Sequence, residues 1–250
     1  MRLLLIRHGQ TPSNVLGLLD TAIPGPGLTD LGLAQAAAVP ETLADDRIDA
    51  IYASAQPRAQ LTAEPLATRR GLPIIVREGL CEVSAGDLEM LGDEDSIRTY
   101  QRTIRLWMAG RLDERMPNGP AGSEVVSRFD AVVSEVVDSL RRDVGDDGTA
   151  VLFAHGAMLR VWATVRGTDL ATVDDTMGRR HTLHNTGMIV LDSTPQGAWS
   201  VVNWAGRAIG GSQLDDGAQD GPAGGVDPTG SDATASGVDP TGSDVTLGRG

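Results

Sequence analysis

The chain has 250 residues, 34 acidic against 21 basic, and a net charge of −13. That length suffices for one large domain with a substantial core, and the acidity argues against a nucleic-acid or anionic-membrane partner. All 21 basic residues are arginine, which excludes a Walker-type phosphate loop, a protein-kinase site and a lysine Schiff base, each of which needs an ammonium group.

In chain order, RLLLI from Arg2 predicts a short buried strand that leads directly into Arg7 and His8, and it is too short for a secretory apolar region. Thr29 opens an alanine-rich helical stretch. IDAIYA from Ile48 predicts a second strand, followed by Ser54 and Arg58, and Pro57 to Arg70 predicts a helix closed by Gly71. LPIIV from Leu72 is a third strand. Met90 to Pro120 is expected to form a small lid insertion; within it Arg98, Arg102 and Arg105 fall at helical spacing behind Glu94 and Asp95, the pattern of a salt-bridged helix surface. Ser123 to Arg142 carries apolar residues at helical spacing. TAVLFA from Thr149 predicts a strand ending at His155 and Gly156, and GMIVLD from Gly187 a further one.

Short apolar runs alternating with helical patterns predict an α/β fold: a three-layer sandwich with a mostly parallel central sheet and helices on both faces. This domain is expected to occupy residues 1–210. From Gly211 to Gly250 the composition changes to ten Gly, three Pro and seven Asp against the single Arg249. A 12-residue unit occurs there twice, as GVDPTGSDATAS from Gly225 and GVDPTGSDVTLG from Gly237. Two copies are too few for a solenoid, and the segment is expected to be a disordered acidic tail. No stretch approaches a membrane span. The lone Cys81 cannot form an internal disulfide, so the expected location is the cytoplasm.

Three sets of polar residues follow strands in the same manner: Arg7 with His8, Ser54 with Arg58, and His155 with Gly156. In a parallel sheet, ligands bind beyond the carboxyl ends of the strands. All three sets would therefore meet in one crevice, gathering two guanidiniums and two imidazoles, which suits a tetrahedral phosphoryl dianion. His181 and His184 form an H-x-x-H pair, but with four histidines and one cysteine in the chain no metal site is expected.

LLLIRHGQTPSN, with Arg7, His8, Gly9, Thr11 and Asn14, resembles the signature of the histidine phosphatase superfamily, which includes the cofactor-dependent phosphoglycerate mutases. The likeness continues in order through LTDLGLAQA from Leu28, SAQPRAQLTAEPLA from Ser54, LCEVSAGDLE from Leu80 and FAHGAMLR from Phe153. The resemblance implies His8 as nucleophile, Glu82 as proton donor, and His155 with Arg7, Arg58 and Asn14 as the phosphate pocket, together with the backbone amide of Gly156. GSEVVSRF from Gly122 is like the family's GES segment with the order of Ser123 and Glu124 exchanged. Asp87 and Glu89 lie near enough in sequence to replace Glu82 as acid. Cys81 reads as a small buried side chain.

Attack by His8 requires a neutral imidazole with one nitrogen held as N–H by a carbonyl. Arg7, Arg58 and a protonated His155 are expected to spread positive charge over the phosphoryl oxygens, so that neither metal nor cofactor is needed. The family's mutases carry an E-R-H-Y-G-type stretch after the acid; in this chain Glu82 is followed by Val83, Ser84, Ala85 and Gly86. The reading is therefore a phosphomonoester hydrolase acting on a small phosphorylated metabolite. A phosphoglycerate mutase and a catalytically silent phospho-ligand binding protein are the alternatives.

Overall fold

The computed structural model describes residues 1–170, 182–215 and 221–224. Its elements in chain order are β1 Arg2–Arg7, α1 Pro12–Val15, α2 Asp30–Thr42, β2 Ala50–Ser54, α3 Pro57–Arg70, β3 Ile74–Arg77, α4 Glu94–Met108, α5 Gly122–Asp143, β4 Thr149–Ala154, α6 Gly156–Arg166, β5 Gly167–Thr168, β6 Met188–Ser193 and β7 Trp199–Ala205. The strands form one sheet in the order β3-β2-β4-β1-β6-β7-β5. β1, β2, β3 and β4 run parallel to one another, β6 pairs antiparallel with both β1 and β7, and β5 pairs parallel with β7.

The mostly parallel α/β sandwich expected from the alternating pattern is therefore borne out. GMIVLD is the strand that runs against the others, and β7 was not foreseen. Its sequence, WSVVNWA, is broken by Ser200 and Asn203 and is only partly buried, so it lacks the continuous apolar run of a strand covered on both faces.

The two sides of the sheet explain why the central strands are apolar at every position. Leu3 and Leu5 of β1 and Leu152 of β4 pack with Phe129, Val133 and Val136 of α5 and Leu159 and Trp162 of α6. Leu4, Ile6, Val151 and Phe153 point the other way, against Val39 of α2 and Ala59, Ala63 and Leu66 of α3. Successive strand side chains alternate faces, so both parities must be apolar when both faces are covered. α2 starts where Thr29 accepts the amide of Gly32 at 3.0 Å, and α3 stops at Gly71, whose φ of 65° is left-handed.

The Met90–Pro120 insertion carries α4, whose Tyr100, Ile104 and Trp107 are buried in the core beside α6, while Arg98 pairs with Glu94 on the exposed side. The folded body also extends past the boundary expected at 210. Gln35 Nε2 donates to the Leu214 carbonyl at 2.8 Å, His184 Nδ1 lies 3.0 Å from the Asp215 carboxylate, and the Leu183 amide donates to the Gly224 carbonyl at 3.0 Å. Two of these anchors fall on main-chain carbonyls, those of Leu214 and Gly224, which composition does not register. Both copies of the repeat, and His181, lie outside the described residues. Among the described residues no helix is long and apolar enough to cross a membrane.

Candidate active site

β1, β2 and β4 are neighbours in register, with Arg7 opposite Ala154 and Ala53 opposite Phe153. The residues that leave their carboxyl ends therefore converge above one sheet edge, as parallel packing requires. His8 is 4% exposed, and its Nδ1 stands 2.7 Å from the Gly9 carbonyl. That acceptor assigns the ring proton to Nδ1 and leaves a lone pair on Nε2. α2 passes so close that a Cβ on Gly9 would meet the Gly32 carbonyl at 2.6 Å, which accounts for the glycine. Burial first, then Arg58 and Arg7, push the His8 pKa well below its ordinary value, outweighing the bond to Gly9. The buried ring is thereby biased toward its neutral form.

Arg7 is fully buried and its Nη1 donates to the Leu183 carbonyl at 2.7 Å. Arg58, 2% exposed near the start of α3, donates from Nη2 to the Asp20 carbonyl at 3.1 Å, and its Nη1 has no partner among the described residues. Asn14 caps its own short helix: Thr11 Oγ1 accepts the Asn14 amide at 3.2 Å, and Asn14 Oδ1 accepts the Thr11 amide at 3.0 Å and Asn185 Nδ2 at 3.2 Å. Gly156 is the first residue of α6, where helix amides favour anions. It lies against Arg7, whose Nε would be 3.1 Å from an added Cβ.

His155 directly follows β4. Its ring packs against His8 with centroids 5.1 Å apart, and Nε2 lies 2.8 Å from Ser54 Oγ. Burial, then Arg58 and His8, lower its pKa well below the usual imidazole value. Desolvation and two nearby guanidiniums oppose a further cation in the same space.

Glu82 is 5% exposed. Oε1 accepts the amides of Val83 at 2.8 Å and Met158 at 2.9 Å, and Oε2 accepts Ala157 at 3.1 Å. The carboxylate thus sits on the first turn of α6. Its loop is tied down by Arg128, which donates to the carbonyls of Gly79 at 3.0 Å and Glu82 at 2.9 Å, by Gln56, whose Oε1 accepts the Glu82 amide at 2.9 Å, and by Tyr100, whose hydroxyl donates to the Val83 carbonyl at 3.2 Å.

A cavity of about 20 Å³ is lined by His8, Asn14, Arg58 and Glu82, with Arg7, His155 and Gly156 packed around that group. Asp87 pairs with Asn118, and Glu89 accepts the amides of Thr21 and Ala22 at 2.8 and 2.9 Å. Neither carboxylate lines the cavity. Ser123 is exposed at the start of α5 and does not line it either. Cys81 is half-buried, 3.5 Å from Ser54 Oγ. Among the described residues no three His, Cys, Asp or Glu side chains are grouped to hold a metal. A larger cavity of about 490 Å³, between α5, α6 and the β6–β7 turn, contains none of the residues expected to act on phosphate.

Sequence reasoning passed over Arg128, Gln56 and Arg160. Arg160, 6% exposed, has a pKa lowered to about 10 by burial and then by Arg7, and remains a cation at neutral pH. It falls four residues after Gly156 and so shares its helix face, a spacing visible in FAHGAMLR.

The chain matches the model of the histidine phosphatase superfamily (branch 1) over residues 3–206. It is 33% identical over 222 residues to the PE-PGRS family protein PE_PGRS11 of Mycobacterium tuberculosis, covering 84% of this chain but only 37% of that protein. The adenosylcobalamin/alpha-ribazole phosphatase of Escherichia coli is 35% identical over 138 residues, 54% of this chain and 68% of that one. Among solved structures, mycobacterial glucosyl-3-phosphoglycerate phosphatase complexed with VO3 superposes with a TM-score of 0.65 at 27% identity, over 82% of this chain and 98% of that one. A match spanning the whole sheet and every strand end that bears the clustered residues establishes that the chain belongs to the histidine phosphatase superfamily.

Proposed function

We propose that the protein is a metal-independent phosphomonoester hydrolase that acts on a small phosphorylated metabolite through a phosphohistidine. The observation that carries this reading is the 2.7 Å contact between His8 Nδ1 and the Gly9 carbonyl: that acceptor places the ring proton on Nδ1, burial and the nearby guanidiniums lower the ring's pKa, and Nε2 then offers a lone pair to phosphorus.

In the first step the Nε2–P bond forms as the bond from phosphorus to the leaving oxygen breaks. The electron pair goes to that oxygen, which takes a proton from the Glu82 carboxyl. Positive charge arising on the His8 ring is met by the Gly9 carbonyl. In the second step water attacks phosphorus, the Glu82 carboxylate takes the water proton, the N–P pair returns to Nε2, and orthophosphate leaves. Arg7 and Arg58, with the amide of Gly156 and the Asn14 side chain, neutralise the equatorial oxygens. The dianion supplies the negative charge that His155 needs in order to take up a proton. Water is the acceptor because the residues after Glu82, from Val83 to Gly86, offer no cationic clamp for the carboxylate of a glycerate that a mutase must retain.

The test is hydrolysis of p-nitrophenyl phosphate with and without EDTA by the wild type and His8→Ala, with radiolabel trapping under acid-free quench. The expected result is EDTA-resistant release of nitrophenol, label on the wild-type histidine, and neither in His8→Ala. Turnover without label on that ring, or turnover abolished by EDTA, overturns the proposal.

A further inference from the structure

We infer that residues Gly221–Gly224 form a strap that shuts the phosphate pocket and competes with substrate for it; this rests on the reading of that pocket as the catalytic site. Pro222 and Ala223 line the cavity together with His8, Asn14, Arg58 and Glu82. The segment is held by its main chain. Three successive carbonyls, those of Pro222, Ala223 and Gly224, accept from Gln101 Nε2 of α4 at 3.3 Å, Arg160 Nη1 of α6 at 3.1 Å and the Leu183 amide at 3.0 Å. Three donors from three separate parts of the fold converge on one short stretch of chain, which gives the strap a defined seat.

The seat overlaps the groups assigned to phosphate. A Cβ on Gly224 would collide with Arg7 Nη1 and stand 3.0 Å from the Leu183 carbonyl. A Cβ on Gly221 would stand 2.9 Å from Asn14 Nδ2 and 3.1 Å from Asn14 Cα, and the φ of Gly221 is +72°. A Cβ on Gly156 would meet the Ala223 carbonyl at 2.7 Å. Close approach to Arg7, Asn14 and Gly156 therefore depends on glycine on one side of the contact or the other. With the strap seated the cavity is about 20 Å³, space on the order of one water molecule, whereas a phosphomonoester brings four oxygens and a leaving group. Seated strap and bound substrate exclude each other, so the apparent affinity for phosphate is the intrinsic affinity reduced by the fraction of molecules in which the strap is out.

The test uses the full-length chain and the variants Gly221→Val and Gly221→Val/Gly224→Val, which a seated strap does not accommodate and which lie outside both core clusters. Inorganic phosphate is titrated calorimetrically, and p-nitrophenyl phosphate kinetics are run on the same samples. An open population of roughly a tenth or less in the wild type means that the variants bind phosphate about 10-fold tighter or more, with KM lowered in parallel and thermal unfolding of the body retained. Unchanged affinity in both variants, or weaker binding, overturns the strap. Tighter phosphate binding with no nitrophenol from any form leaves the strap standing and removes the hydrolase reading; label on His8 with unchanged affinity does the reverse.

Discussion

Replacing Glu82 by Gln, the usual isosteric test of a catalytic carboxylate, changes more than a proton at this position. Oε1 of Glu82 accepts two amides, from Val83 and Met158, and Oε2 accepts a third, from Ala157. A glutamine has one acceptor oxygen. Placed at the Oε1 position it keeps two bonds, but its NH2 then faces the Ala157 N–H donor to donor; turned over, it loses two. The better orientation leaves one buried N–H unmet in a site where Glu82 is 5% exposed, at a cost of about 1–3 kcal/mol. At about 2–4 °C per kcal/mol for a chain of this size, the unfolding midpoint is expected to fall by about 2–12 °C. Activity is expected to fall by about 10²- to 10⁴-fold, the usual contribution of a general acid. That loss is expected to be larger for an alkyl phosphate such as glycerol phosphate than for p-nitrophenyl phosphate, whose leaving group carries its own charge well. Scanning calorimetry and paired kinetics read both effects. An unaltered midpoint means that the carboxylate is not seated on α6, and an equal loss on the two substrates means that another group delivers the proton.

Arg58→Met removes a buried guanidinium while keeping its stem, and is expected to lower kcat/KM by about 10²- to 10³-fold; a loss under tenfold contradicts its place on the phosphoryl oxygens. Arg128→Met frees the carbonyls of Gly79 and Glu82 and is expected to weaken alkyl phosphate turnover more than p-nitrophenyl phosphate turnover, since it acts through the acid; equal effects on both substrates make its role purely structural. Stability is expected to fall on acidification. His8 and His155 both titrate well below the ordinary imidazole value when folded, so the unfolded chain takes up protons as pH drops past about 6.5 while the native state does not. Their contribution is complete above that pH and is lost below it, at up to about 2.7 kcal/mol per pH unit for two groups. Urea midpoints at about pH 7.5 and about pH 5.5 measure the slope. His155→Gln is expected to shrink it by about half, and a midpoint that rises on acidification refutes neutral imidazoles in the native state.

The doubly covered strands were legible because burial on both faces forces an unbroken apolar run, as in RLLLI and TAVLFA, and Thr29 and Gly71 mark helix ends by local chemistry alone. Arg7, His8, Arg58 and His155 were legible because each follows such a strand or opens the helix after it. β7 was not, since a partly exposed strand interrupted by Ser200 and Asn203 carries no period of its own. Nor did the glycine-rich composition after Gly210 show that Pro222 and Gly224 are buried, because their carbonyls are what hold them and any residue type supplies a carbonyl.

Local order along the chain was enough to decide which residues reach the carboxyl edge of the sheet, because strand direction and side-chain alternation follow from short-range pattern. Tertiary packing decided their surroundings: that the His8 and His155 rings are buried against each other, that Glu82 lies on the first turn of α6, and that Arg160 is buried while Arg128 is half-buried. Charge and burial depend on what stands within a few ångströms in space, and several of those neighbours come from distant segments, such as Arg7 and Leu183 or Ser54 and His155.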